Sequence, residues 1–208
     1  MTESALVIVD YQNIHLTAHE LFAPAGTPKH ETLVHPLHFA NQVVGERNNR
    51  AIAARQAGKP APPCVELAAV HVFRGMPSNK HNPTAYRRSM AQRSEWTRDG
   101  RVQVTYRTLR YLWDSRVQGY VAAEKGIDVM LALDVVRAVR EHVSDVVILA
   151  THDTDLEPAL DEAMTGQGCL IESAGWDRAR QLRTATWHWH TVLRAESFVR
   201  SRDRKDYT

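Results

Sequence analysis

Two stretches of the chain are apolar without interruption, and each stops in carboxylates. Ala5-Leu6-Val7-Ile8-Val9 ends in Asp10, and Val146-Val147-Ile148-Leu149-Ala150 ends in Thr151-His152-Asp153-Thr154-Asp155. Short β-branched runs with no polar face predict strands buried on both sides, as in parallel sheets. Apolar spacing predicts helices elsewhere: Leu37, Ala40, Val43 and Val44 within 34–57, a helix from Tyr86 to Trp96, and Leu131, Val135, Ala138 and Val139 within 129–141. Val65–Phe73, Val102–Tyr106 and the segment beginning Cys169-Leu170-Ile171-Glu172 read as further strands, and Leu156–Thr165 as a short helix. Pro24, Gly26 and Pro28 mark a long loop, and Pro60, Pro62 and Pro63 break the chain before Val65. Strands and helices alternate throughout, which predicts an α/β domain with a central parallel sheet and helices on both faces.

Composition narrows the picture without changing it. The 208 residues and 43% hydrophobic content suit one domain over 1–200, with the Arg-, Lys- and Asp-rich 201–208 expected to fray. A formal net charge of +2 leaves any affinity for a polyanion to local patches. Cys64 and Cys169 form neither a disulfide framework nor a metal motif. With no leader pattern at the N-terminus and no uncharged run long enough to span a bilayer, a cytoplasmic protein is expected, with no membrane partner.

The chemistry gathers at the ends of the strands. In an open α/β sheet ligands bind at the C-terminal edge, where Asp10, Asp153 and Asp155 are placed. The helix that precedes Val146 runs antiparallel to that strand, so Asp128 in its first turn reaches the same edge. Asp134 lies roughly 9 Å further along an ideal helix and suits a structural or supporting role. An Asp after a strand is also a common helix cap, so the bland reading of Asp10 stays open. Acids so crowded need a proton, a basic side chain or a cation, and an oxygen-only set suits Mg²⁺ or Mn²⁺. Such an ion could activate water against a phosphodiester. The Gly-rich nucleotide loops and the G-x-S-x-G elbow are absent, and Gln12 stands where an aspartyl phosphatase would carry a second Asp.

Between Tyr86 and Arg116 arginines outnumber acids, with Tyr106, Tyr111 and Trp113 interleaved. Two readings stand for this segment: a solvated surface, or phosphate contact with base stacking. His15 with His19, and His188 with His190, have spacings that could bind a metal but more often reflect packing.

Three blocks in order, Val7-Ile8-Val9-Asp10-Tyr11-Gln12-Asn13, Lys125-Gly126-Ile127-Asp128-Val129 and Thr151-His152-Asp153-Thr154-Asp155, resemble the signature blocks of the NYN domain, LabA-like members included, within the PIN-like ribonucleases. The resemblance extends over about Ala5 to Ala174. It implies a PIN-like sheet of order 3-2-1-4-5 and a Mg²⁺- or Mn²⁺-dependent nuclease, expected to be an endoribonuclease. Asp10, Asp128, Asp153 and Asp155 match its acidic positions and become the expected catalytic and metal-binding residues. Asn13 matches its polar residue, and Lys125, Thr151, His152, Arg74, Arg87, Arg88, Arg107 and Arg110 are the other expected substrate contacts. RNA is the expected partner, with a homodimer left open. His152 replaces the usual Gly of the last block, which bears on activity if that Gly serves close backbone approach. The alternative, from a different class, is a catalytically silent PIN-like module that binds RNA or protein.

Overall fold

A computed structural model describes residues 2–207. The elements, in chain order, are β1 (Glu3–Asp10), α1 (Tyr11–Phe22), α2 (Pro36–Gln56), β2 (Val65–Met76), α3 (Pro83–Trp96), β3 (Val102–Thr108), β4 (Arg110–Asp114), β5 (Gly119–Ala123), α4 (Ile127–Arg140), β6 (Val146–Ala150), α5 (Glu157–Met164), β7 (Leu170–Trp176), β8 (His190–Leu193) and α6 (Ala195–Ser201). Six strands form one sheet in the order β3-β2-β1-β6-β7-β8, with every neighbouring pair parallel.

This order departs from the expected 3-2-1-4-5. The sheet has a sixth strand, β8, whose His190–Leu193 pair with Ser173–Trp176 at the far edge. Two further strands, β4 and β5, come between β3 and α4 in the chain and form a separate antiparallel hairpin. Neither addition is written in an apolar run. The residues of β4 and β5 are almost all half-buried or exposed, so no buried face imposes an alternation on them.

The unbroken apolar runs of β1 and β6 have a simple cause. Side chains alternate across a strand, so Ala5, Val7 and Val9 pack with Ile14 of α1, Phe39 and Val43 of α2, and Phe198 of α6. Leu6 and Ile8 pack on the opposite face with Leu131 and Val135 of α4 and Leu160 of α5. Val147 and Leu149 join that second layer, while Val146, Ile148 and Ala150 join the first. Full burial of each such side chain contributes about 1.5–3 kcal/mol, so these two strands fix the centre of the sheet.

The C-terminal segment is docked rather than frayed. Asp203 is buried and accepts hydrogen bonds from Trp96 Nε1 and the Tyr207 hydroxyl, both at 2.7 Å. Its backbone N–H donates to the Leu33 carbonyl at 2.8 Å, and Arg202 bridges to Val34. The histidine pairs are structural. His15 meets the Lys29 carbonyl at 3.0 Å and His19 meets Thr32 Oγ1 at 2.8 Å, fastening the long loop onto α1. His188 and His190 both turn to Ser173 Oγ, at 2.6 and 2.7 Å. Asp134 holds His71 at 2.6 Å and pairs with Arg137, in keeping with a structural role. Among the described residues no helix is long and apolar enough to cross a membrane.

Candidate functional site

Asp10 closes β1 and caps α1, and its two oxygens are used differently. Oδ1 accepts the Asn13 backbone N–H at 3.4 Å, while Oδ2 accepts the Thr151 hydroxyl at 2.8 Å. The capping role read as the bland alternative is therefore present, yet the same carboxylate also faces a cleft. That cleft, of about 290 Å³, is lined by Asp10, Glu124, Asp128 and Asp153, together with Asn13 and Glu20. Five carboxylates, from the end of β1, α1, the stretch that starts α4 and the turn after β6, thus line the cleft where β1, β6 and α4 meet.

Hydrogen bonds between the segments set the floor of this cleft. Thr151 is fully buried, and its Oγ1 accepts the Asp153 backbone N–H at 3.0 Å while donating to Asp10. Asn13 Oδ1 accepts the His152 backbone N–H at 2.8 Å, and Asp153 Oδ1 accepts the Asp155 N–H at 3.0 Å. The turn after β6 is tied in this way to the start of α1. Asp155 is exposed and does not line the cleft, although its charge reaches Asp128. On the other side Gly126 takes φ +77°, a left-handed turn that favours glycine, and starts α4 with Asp128 in its first turn.

The electrostatics are dominated by negative charge. Burial pushes the Asp10 carboxyl up to about 7, against the hydrogen bonds from Thr151 and Asn13, and the charges of Asp128 and Glu124 add to the rise. Asp128 is raised by desolvation and then by Asp153 and Asp155. Glu124 is raised by desolvation and by Asp128, opposed by a backbone hydrogen bond from Gly75 and by the charge of Arg74. Among the described residues, none of Asp10, Glu124, Asp128 and Asp153 makes an ion pair. Asp128→Asn is therefore expected to raise the melting temperature of the metal-free protein. Solvent screening at this exposed position holds the gain below ~1 kcal/mol, hence roughly 1–3 °C. Thermal melts in chelator check the sign, and a lower melting temperature would mean that Asp128 acts chiefly through the helix dipole.

Glu124 is the site residue that the sequence did not offer. It sits in the turn between β5 and α4, where no periodicity marks it. A neighbour carries a faint signal: a Cβ on Gly75 would meet Glu124 Oε1 at 2.6 Å and Leu109 at 2.4 Å, so a glycine near the end of β2 makes room for the carboxylate.

Several expected substrate contacts turn inward instead. Thr151 is buried with its hydroxyl committed to Asp10 and Asp153, so it supports the site without facing it. The His152 ring leaves the cleft altogether. Its Nε2 accepts the Trp176 backbone N–H at 3.1 Å, its Nδ1 meets the Arg180 carbonyl at 2.8 Å, and burial lowers its pKa. A Cβ on Gly175 would lie 2.4 Å from this ring, so Gly175 supplies the space that His152 fills.

Arg74 is also committed, its guanidinium lying 4.8 Å from the Tyr11 ring centroid and donating to Gln92. Arg88 turns toward the C-terminal segment, lining a hollow there with Asp203 and Tyr207. Arg87, Arg110 and Lys125 are exposed. Arg107 is brought beside the site, its guanidinium carbon 3.1 Å from where a Cβ on Gly126 would stand.

Among the described residues lining the cleft there is no His or Cys, so its metal-ligating atoms are oxygens, the chemistry that Mg²⁺ and Mn²⁺ accept. Among the described residues no group of three or more His, Cys, Asp or Glu side chains is arranged to hold an ion by itself. A Mg²⁺ ion bound through one or two carboxylates and retained waters does not require such a group.

No protein-family model matches the chain, and no curated protein matches it significantly. Among solved structures it is similar to the crystal structure of a protein of unknown function from Vibrio parahaemolyticus. The two share 13% identity with a TM-score of 0.50, over 92% of this chain and 93% of that one. At that identity the likeness is one of fold, an α/β architecture extending along nearly the whole of both chains.

Proposed function

We propose that the acidic cleft is the active site of a metal-dependent ribonuclease of the PIN-like, NYN type. One observation carries the reading: a buried carboxyl, Asp10, faces Glu124, Asp128 and Asp153 in a cleft where, among the described residues, no basic side chain forms an ion pair with any of them. Left alone, that arrangement costs stability, and a divalent cation is the partner that offsets it. One or two of Asp10, Asp128 and Asp153 would hold the ion, with the remaining cleft carboxylates, Glu124 among them, placed to orient its waters. The bound ion would supply an activated water and neutralise charge at a phosphodiester.

The chain's own residues do the positioning. Thr151 and Asn13 fix Asp10 and the turn after β6, so that the carboxylates from β1 and β6 keep one geometry. Arg107, beside the first turn of α4, is the cation best placed for a phosphate of the substrate. The resemblance in the three sequence blocks supports RNA as that substrate.

A cleavage assay on mixed-sequence RNA, with Mn²⁺ and with chelator, tests the proposal. Cleavage that appears with the ion and stops with the chelator is expected. RNA left intact by a folded, Mn²⁺-saturated protein would turn the assignment to a silent binding module.

A further inference from the structure

Among the described residues the hairpin of β4 and β5 pairs with no other strand. A lone two-stranded ribbon is marginal in water and normally hides its apolar side chains. This one shows them. Trp113 lies opposite Tyr120 and Tyr111 opposite Ala122, so the alternation of side chains puts all three aromatic rings on one face. At the base, Tyr111 is anchored: its hydroxyl accepts the Ser78 N–H at 3.2 Å, and its ring stacks on His81 at 4.4 Å with 13° between planes. At the tip, Trp113 and Tyr120 stand edge to face at 5.4 Å, and although His81 also tilts against Tyr120 at 4.7 Å the two rings remain 61% and 58% exposed.

We propose that this aromatic face is a stacking platform for unpaired RNA bases, feeding a single strand into the acidic cleft; it rests on the ribonuclease reading. Charge selects a polyanion as the occupant. Between Tyr106 and Ala123 the chain carries Arg107, Arg110 and Arg116 against the single acid Asp114, which Arg116 approaches at 3.5 Å. Lys80 and Lys125 are exposed on the flanking segments. A second copy of the chain is the poorer occupant, because an isologous contact through this face would bring the same arginines together.

Exposed rings select unpaired bases, since duplex bases already stack on one another and offer no free face. The platform is also contiguous with the site: Glu124, the residue that follows β5, lines the cleft, and α4 with Asp128 begins three residues later. Tyr106 does not belong to the platform. It is half-buried, and its hydroxyl donates to the Ser89 carbonyl at 2.8 Å.

The test is fluorescence anisotropy in chelator, so that binding is read without cleavage, using a short labelled oligouridylate and an RNA duplex of equal length. The single strand is expected to bind more tightly than the duplex. Trp113→Ala and Tyr120→Ala are each expected to weaken single-strand binding by roughly ten-fold without changing the melting temperature, while Trp113→Phe keeps most of it.

Unchanged affinity in both alanine variants, equal binding of the duplex, or no binding of RNA would overturn the platform. So would sedimentation showing that the variants dissociate a wild-type dimer while RNA binding stays the same. The two readings fail separately. A protein that binds oligouridylate in chelator but never cuts it with Mn²⁺ loses the nuclease assignment and keeps the platform; one that cuts while both variants bind normally loses the platform alone.

Discussion

Asp10→Asn is expected to abolish cleavage, by a factor on the order of 10³, and at the same time to make the metal-free protein more stable at neutral pH. The two effects share one cause. Asparagine keeps the shape of the side chain and can still accept the Thr151 hydroxyl at the floor of the cleft. What it removes is a negative charge that a cation needs and that the buried site otherwise tolerates poorly. Loss of activity with unchanged or lower stability would point instead to a structural role for Asp10 as the cap of α1.

The pH dependence gives this expectation a sign. Asp10 rises from 3.8 to about 7 on folding, so within that window the folded protein binds more protons than the unfolded chain. Stability of the metal-free protein should therefore fall as pH increases from about 4, with the penalty complete above about 7. A displacement of this size corresponds to ~4 kcal/mol at a site so little exposed. Asparagine has one acceptor oxygen for two donors, Thr151 and Asn13, and loses about 1 kcal/mol on that account. The net gain above pH 7 is then about 2–3 kcal/mol, and denaturant titrations of both proteins at several pH values read it directly. Parallel pH profiles for wild type and Asp10→Asn would place the titrating group elsewhere.

How much of this was legible before the structure depends on whether a feature is local. β1 and β6 were read correctly because burial on both faces writes itself as a run of apolar residues, and Asp10 and Asp153 follow from where those runs stop. Asp128 follows from helix direction. Arg74 could not be read, because a sequence shows a cation without showing the Tyr11 and Trp96 rings that enclose it. His152 hid for the same reason, since its partners lie at Gly175, Trp176 and Arg180 in a different strand and loop. The C-terminal segment was misread because its composition is that of a solvated end. Asp203 is fixed by Trp96, more than a hundred residues away in the chain. The order of the sheet was missed at its edge, where β8 is only four residues long, and at the hairpin, where exposed strands carry little apolar pattern.

The second large effect lies far from the cleft, at the buried pair of Arg47 on α2 and Glu172 on β7. Nε and Nη2 of Arg47 donate to the two carboxylate oxygens at 2.9 and 2.7 Å, and the side chains are 0% and 3% exposed. Arg47 also donates to the Pro63 carbonyl, so one guanidinium joins α2, the sheet and the segment that leads into β2. Burial nonetheless outweighs the Arg47 charge and holds the Glu172 carboxyl above its ordinary value. The pair is therefore a costly arrangement whose partners depend on each other, rather than a net source of stability. Glu172→Gln is expected to destabilise the protein by about 3–5 kcal/mol, because it leaves the guanidinium buried without a counter-charge. In a domain of this size that lowers the melting temperature by on the order of 10 °C. The double variant Arg47→Met, Glu172→Leu removes both charges at similar volume and should recover most of the loss. Urea titrations of the two variants distinguish the cases. A double variant no more stable than Glu172→Gln would show that the hydrogen bond to Pro63 and the fit of the pair, rather than the orphaned charge, carry the effect.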